Sequence, residues 1–348
     1  MEFKKILIIN PYGIGDVLFT TPVISNLRRA YPHASIAYLA NRRTADFLKF
    51  NPDIAQVFIY DRDEFVGNYS KYMELFNSIK QQAFDVVFDF SLNSSFGFLS
   101  FACGIKKRIG FNYRGRGQFL NNTIQLMGFE DKHVVEYFLD LLRFIDVPVI
   151  DRYLTLTIPS DDIQWAQKWL KSHHIDPTAK PLIAVLPGGG ASWGKAAKYK
   201  RWSAPKYADL IDKIIENFDA AIILLGDSKE EELCREVVSL AHFPLHLAVG
   251  ETSVLGLAAL LMQCKGTVVN DGGPLHVASA VGVKTVSVFG PVDPQVYGPY
   301  PMGKHTVVQK GLPCQPCYRR FRMANCGHIS CLVDLSVEEV YRKVQNLL

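Results

Sequence analysis

Residues 268–282 read VVNDGGPLHVASAVG. A β-branched apolar run stops at Asp271-Gly272-Gly273, and a helical pattern starts at once. Pro274 suits the first position of that helix, where its missing N–H costs nothing. The reading is therefore strand, glycine turn, helix. It puts the amides of Gly272, Gly273, Leu275 and His276 at a helix N-terminus, whose dipole favours an anion and suits a phosphate. His276 would add a donor to a phosphate oxygen, or it is simply a satisfied histidine. A strand that runs into a helix N-terminus is the repeating unit of a parallel α/β sheet, in which ligands bind beyond the carboxyl ends of the strands.

The same unit recurs on both sides of this stretch. Before the middle of the chain the apolar runs are KILIIN, SIAYLA, QVFIYD, DVVFDF and RIGF. Helical patterns separate them near 17–30, 43–50, 69–82 and 93–103, with another at 133–146. Residues 151–160, DRYLTLTIPS, are polar and interrupted, as at a linker. Beyond them come PLIAVLP, AAIILLG, LHLA, GTVVND and TVSVFG, alternating with helices near 161–173, 203–217, 229–240, 253–263 and 275–282. Strands alternating with helices predict parallel sheets covered on both faces. Two series of similar size predict two Rossmann-like, doubly wound α/β domains facing each other across a cleft. The expected boundaries are 1–158 and 159–335, with SVEEVYRKVQNLL inside a closing helical tail, 336–348.

The totals agree with an ordinary globular chain. Of 348 residues, 48% are hydrophobic and 21% charged, so the core can be of normal size. A net charge of +4 is too small for a nucleic-acid footprint and suits an anionic small substrate or a brief visit to an anionic membrane surface. MEFKKILIIN lacks the long apolar stretch of a signal peptide, and no run of about 18 apolar residues predicts a membrane span. A cytoplasmic protein is expected.

Three further turns belong to the reading. IINPYGIGDVLFTTP (8–22) resembles a phosphate loop but carries Leu18 where a dinucleotide fingerprint needs its third glycine. Asp16 stands at the start of a helix, either as its N-cap or as a carboxylate held for chemistry. LPGGG (186–190) ends a strand and lets a ligand approach the backbone, with Lys200 and Arg201 following in ASWGKAAKYKRW. LLGDSKEEE (224–232) ends another strand, where Glu230 either accepts a ribose hydroxyl or supplies helix-start charge.

Taken in order, these pieces resemble glycosyltransferase family 9, the lipopolysaccharide heptosyltransferases. The matching residues are Gly15-Asp16-Val17 with Thr21-Pro22, His133-Val134-Val135-Glu136, Lys200-Arg201-Trp202, Gly226 to Glu230, and Asp271 to His276. The resemblance implies a glycosyltransferase B fold, with acceptor on the N-terminal domain and nucleotide sugar, usually ADP-heptose, on the C-terminal one. It implies inverting transfer with no cofactor and no catalytic metal. On this mapping Asp16 is the general base, and Lys200 with the helix start at 272–276 steadies the departing diphosphate. Gly189, Gly190, Lys200, Asp271, Gly272, Gly273 and His276 would line the donor site, with Glu230 at the ribose and Thr252 near the adenosine. Gly15, Asn10, Arg114, Arg116 and His133 would face the acceptor, a lipid-linked or other surface glycan. Where relatives often have a basic residue after the first strand, this chain has Asn10. Arg114 and Arg116, in GFNYRGRGQF, would then supply charge, unless they are a plain surface loop. A nucleotide-sugar epimerase and a non-catalytic nucleotide-sugar-binding protein are the alternatives.

Three features stand aside from that mapping. Cys314, Cys317, Cys326 and Cys331 form C-x2-C-x8-C-x4-C, which could hold a structural zinc or an iron–sulfur centre, or remain free thiols or disulfides. FGFLSFACG (96–104) reads as a buried apolar helix in preference to a membrane contact, so contact with the inner membrane is peripheral at most. Asp61-Arg62-Asp63 reads as solvated loop charge.

Overall fold

A computed structural model describes residues 2–348. The chain forms two compact units, Met1–Thr157 and Ile158–Leu348. In the first, the order is β1 (Lys5–Ile9), α1 (Ile14–Leu18), α2 (Thr21–Ala30), β2 (Ser35–Ala40), α3 (Arg42–Leu48) and β3 (Gln56–Ile59). It continues with α4 (Arg62–Phe65), α5 (Tyr69–Gln82), β4 (Val86–Asp89), α6 (Ser94–Ala102), β5 (Lys107–Tyr113), β6 (Asn122–Leu126) and α7 (Val134–Arg143).

The second unit runs α8 (Ser160–Ser172), β7 (Leu182–Leu186), α9 (Ala204–Phe218), β8 (Ala221–Gly226), α10 (Glu231–Leu240), β9 (His246–Val249) and α11 (Val254–Leu261). Next come β10 (Gly266–Asn270), α12 (Gly273–Ala280), β11 (Thr285–Phe289), α13 (Pro294–Tyr297) and β12 (Thr306–Gln309). A hairpin of β13 (Tyr318–Arg319) and β14 (Arg322–Met323), then α14 (Ser330–Val333) and α15 (Val337–Val344), complete it. None of the described helices is long and apolar enough to cross a membrane.

Each unit holds one six-stranded parallel sheet, in the orders β3-β2-β1-β4-β5-β6 and β9-β8-β7-β10-β11-β12. The two orders are the same. The winding reverses between β1 and β4 in one sheet and between β7 and β10 in the other, and such a reversal opens a crevice at the strands' carboxyl ends. Both glycine turns of the second unit leave the sheet there, after β7 and β10.

The central strands are apolar throughout because helices cover both faces. Leu7, Ile9, Leu39 and Val87 share one core with Phe58, Phe65 and Phe96. Ile183, Val185, Val268 and Val286 share another with Trp202 and with Tyr207, Leu210, Ile211 and Ile214 of α9. The tail helix α15 packs into this second core through Val340, Tyr341 and Val344.

The sequence pattern misplaces some elements. The helix expected near 17–30 is two helices. The hydroxyls of Thr20 and Thr21 donate to the carbonyls of Val17 and Leu18 at 2.6 and 2.7 Å, and Pro22 has no N–H with which to continue the ladder. Strands β6 (NTIQL) and β12 (TVVQ) are edge strands, too polar and short to stand out by periodicity. The segment read as a buried apolar helix, α6, buries Phe96, Gly97 and Ser100 but leaves Phe98 and Phe101 exposed.

Candidate active site

In the second unit the carboxyl ends of β7 and β10 are tied by one side chain. Asn270, the last residue of β10, is fully buried. Its amide donates to the carbonyls of Pro187 and Gly188 at 2.7 and 2.8 Å, and its Oδ1 accepts from the Trp202 amide at 3.3 Å. Three buried backbone groups are satisfied by one short side chain. The loop that follows Gly188 turns back through Gly189 and Gly190, both at positive φ (110° and 71°), which glycine alone adopts without strain. A Cβ on Gly272 would lie 3.4 Å from the Gly190 amide nitrogen, so the two glycine turns are in contact.

Glu230 holds this loop from the other side. Its Oε1 accepts from the Gly189 amide at 2.5 Å and meets Arg201 at 3.4 Å, while its Oε2 accepts from the Asp227 amide at 3.2 Å. Arg201 also donates to the Gly189 carbonyl at 2.9 Å. A carboxylate has about four acceptor sites, so the ribose hydroxyl expected at Glu230 would have to share it with these donors. Gly188 is packed so closely on Glu230 that a Cβ there would lie 2.1 Å from its carboxyl carbon.

Lys200 and Asp271 form a buried ion pair, Nζ to Oδ2 2.7 Å, and the ammonium lies 4.3 Å from the centre of the Trp193 ring. Helix α12 starts at Gly273 with Gly272 as its N-cap, so Pro274 is its second residue rather than its first. The Leu275 amide donates to the Gly272 carbonyl at 3.1 Å, which removes it from the expected anion donors. The amides of Gly272 and Gly273 remain at this helix end. His276 is buried in the same turn. Thr252 lies beyond β9 on the same sheet edge, where the Gly250 amide donates to the Gly226 carbonyl.

In the first unit Asp16 is the third residue of α1, not its N-cap. Gly13 is the cap, and its amide donates to Asp16 Oδ2 at 3.2 Å. Asn10, expected on the acceptor, is fully buried instead, and its amide donates to the Asp16 carbonyl at 2.9 Å. It therefore positions Asp16 from within. His133, also expected on the acceptor, is the buried N-cap of α7, its Nδ1 accepting from the Val135 amide at 3.2 Å. Gly15 lies inside α1. Arg114 and Arg116 are exposed, both stacked on Tyr113 at 4.9 and 5.7 Å.

Two residues that carried no signal in the pattern belong to this edge. Asp89 ends β4 beside β1, wholly buried, and burial raises its carboxyl to about 6 against the lowering effect of hydrogen bonds from Ser91. The Tyr12 hydroxyl donates to the Ser91 carbonyl. Burial and then the charges of Asp89 and Asp16 push the Tyr12 phenol up to about 12, with Arg116 opposing them. Tyr12 thus stands within electrostatic reach of both acids and of the basic turn.

The four clustered cysteines come together around the β13–β14 hairpin. Desolvation, then the negative charges of Cys317, Cys326 and Cys314, raises Cys331 to about 11. Among the described residues no group of three or more His, Cys, Asp or Glu side chains is arranged to hold a metal ion. The hairpin instead touches the Lys200 segment: the Tyr318 ring lies 4.9 Å from Trp193, and the Tyr199 hydroxyl donates to the Cys326 carbonyl at 3.3 Å.

The profile of glycosyltransferase family 9 (heptosyltransferase) matches residues 72–328. The chain belongs to this family. As a family 9 member it is a glycosyltransferase, and its two doubly wound units are those of the glycosyltransferase B fold. The lipooligosaccharide heptosyltransferase 2 of Haemophilus influenzae is 26% identical to it over 99% of either chain. A family 9 glycosyl transferase of Veillonella parvula shares its fold with a TM-score of 0.86, at 22% identity, covering 100% of this chain and 98% of that one. The ADP-heptose lipopolysaccharide heptosyltransferase II of Escherichia coli does so with a TM-score of 0.78, at 21% identity, covering 99% and 98%.

The packing of this family 9 site yields a stability test. Gly188→Ala drives a methyl group into the Glu230 carboxyl and should cost about 1–3 kcal/mol. Gly327→Ala, with open space around it, should cost much less. Urea unfolding of both variants measures the difference; equal midpoints would contradict the packing.

Proposed function

We propose that this glycosyltransferase moves a heptose from ADP-heptose to a lipopolysaccharide-type acceptor, inverting the anomeric centre with no metal in the reaction. The observation that carries the donor half is Lys200, held 2.7 Å from Asp271 on the same turn as the Gly272 and Gly273 amides. An ammonium has three donors, so one spent on Asp271 leaves two for a diphosphate. A buried cation and a half-buried helix start stabilise charge that develops on a leaving diphosphate, an effect commonly worth about 10²–10³ in rate per donor. The nucleotide sugars named for the relatives support the same donor class. Glu230 and Thr252 are assigned to the ribose and adenosine on the resemblance.

Asp16 is assigned as the general base. The acceptor oxygen bonds to the anomeric carbon as the bond to the diphosphate oxygen breaks. The hydroxyl proton goes to Asp16 and the electron pair leaves with the diphosphate. Two features of the first unit support the assignment: the Gly13 amide orients the carboxylate, and Asn10 fixes the backbone of the same residue. Arg114 and Arg116 are the cations offered to an anionic acceptor. A soluble donor and a lipid-linked acceptor put the reaction at the cytoplasmic face of the inner membrane.

The cysteine hairpin is assigned a structural part, outside the reaction, supporting Trp193 beneath Lys200. A zinc or iron–sulfur centre on its four thiols would serve that part, and the thiols would have to close up to hold it. Elemental analysis of purified protein reads this directly. About one equivalent of zinc, or about two or four of iron for an iron–sulfur cluster, lost in a Cys314→Ser/Cys317→Ser variant, is the supporting result; metal-free, fully active protein overturns it.

Asp16→Asn tests the base. Turnover should fall by about 10²–10⁴-fold, the usual worth of a general base, while ADP-heptose still binds as in the parent protein. Undiminished turnover would remove Asp16 from the chemistry. Consumption of the nucleotide sugar with no acceptor present would instead favour an epimerase.

A further inference from the structure

The 40 residues from Phe90 to Phe129 contain no aspartate or glutamate. They carry five cations, Lys106, Lys107, Arg108, Arg114 and Arg116, and seven phenylalanines. This stretch builds α6, β5 and β6, one lateral edge of the first sheet. Helix α6 lies close on the segment behind it because Gly97 has no side chain; a Cβ there would stand 3.4 Å from Cβ of Phe119. Two large rings beside that contact are open to water. Phe98 and Phe101 are each 52% exposed and lie one helical turn apart. They flank the half-buried Phe119, with ring centres 5.2 and 6.1 Å from it.

Cations border the rings. The Arg108 guanidinium sits 5.3 Å from the Phe101 ring centre and is fixed by donating to the carbonyls of Ile105 and Phe119, both at 2.6 Å. Lys106 is exposed beside it. Among the described residues, none of the five cations is ion-paired with a carboxylate.

We propose that this face of α6 docks on a bilayer containing anionic lipid. Aromatic rings with basic neighbours suit the headgroup layer, where the rings enter the acyl boundary and the cations meet lipid phosphate. The charge selects this occupant. A second copy would bring the same unpaired cations against each other, whereas an anionic surface complements them. Lipid binding is measured with no donor or acceptor present, so it is read independently of the transfer reaction.

The test is co-sedimentation with vesicles of phosphatidylglycerol and phosphatidylcholine, against phosphatidylcholine alone. The full chain should bind the anionic vesicles and lose most of that binding as salt is raised. Phe98→Ser/Phe101→Ser and Lys106→Glu should each weaken it several-fold, with circular dichroism unchanged. A Phe98→Trp variant should show added fluorescence that brominated lipid quenches. Three results would overturn the proposal: no binding to anionic vesicles, equal binding by the double variant, or a concentration-dependent dimer that the double variant abolishes.

Discussion

The buried amide of Asn270 decides the geometry of the donor half. It is the last residue of a central strand and is shut off from solvent. Its two donated bonds and one accepted bond all go to the backbone, at Pro187, Gly188 and Trp202. An apolar residue of the same shape would leave those groups unsatisfied, at about 1–3 kcal/mol each. With the loop lashed down at 187 and 188, Gly189 and Gly190 must turn through positive φ, and that turn sets the Gly190 amide against Gly272. Lys200, Asp271, Arg201 and Glu230 are arranged around that contact.

Charge in the second unit is organised in pairs. Glu230 is matched by Arg201 and two amides, and Lys200 by Asp271. Breaking a buried pair by removing one partner usually costs about 3–5 kcal/mol, because the other is stranded. The pairs therefore hold the turn in one shape before any ligand arrives, which is the preorganisation that electrostatic catalysis requires. The cysteine hairpin extends this support outward through Tyr318 and Trp193 to the Lys200 ammonium. The first unit uses the same economy on a smaller scale, with Asn10 and Gly13 fixing Asp16 from two directions.

Much of this was legible in the sequence, for a physical reason. Central parallel strands are apolar on both faces, and the turns that end them use glycine and proline, so β1, β7, β10 and the residues at their carboxyl ends are conspicuous. Edge strands have no such signature, and the polar NTIQL and TVVQ passed as loop. Asn10 and His133 show a different limit. A polar residue at a strand end or helix start reads the same whether it faces a ligand or caps backbone, and here both point inward. Asp89 was hidden for the converse reason, since only the pairing of β4 with β1 brings it within reach of Tyr12. The exposure of Phe98 and Phe101 was equally unreadable, because a helix that is apolar all round predicts burial.

In the proposed reaction Lys200 and the Gly272–Gly273 turn hold a diphosphate without a metal. Calorimetric titration of the protein with ADP, UDP and GDP, in buffer containing EDTA, tests that claim most directly. ADP should bind most tightly, and its affinity should be the same when the chelator is replaced by magnesium. Binding of no diphosphate, or binding that appears only with magnesium, would contradict it.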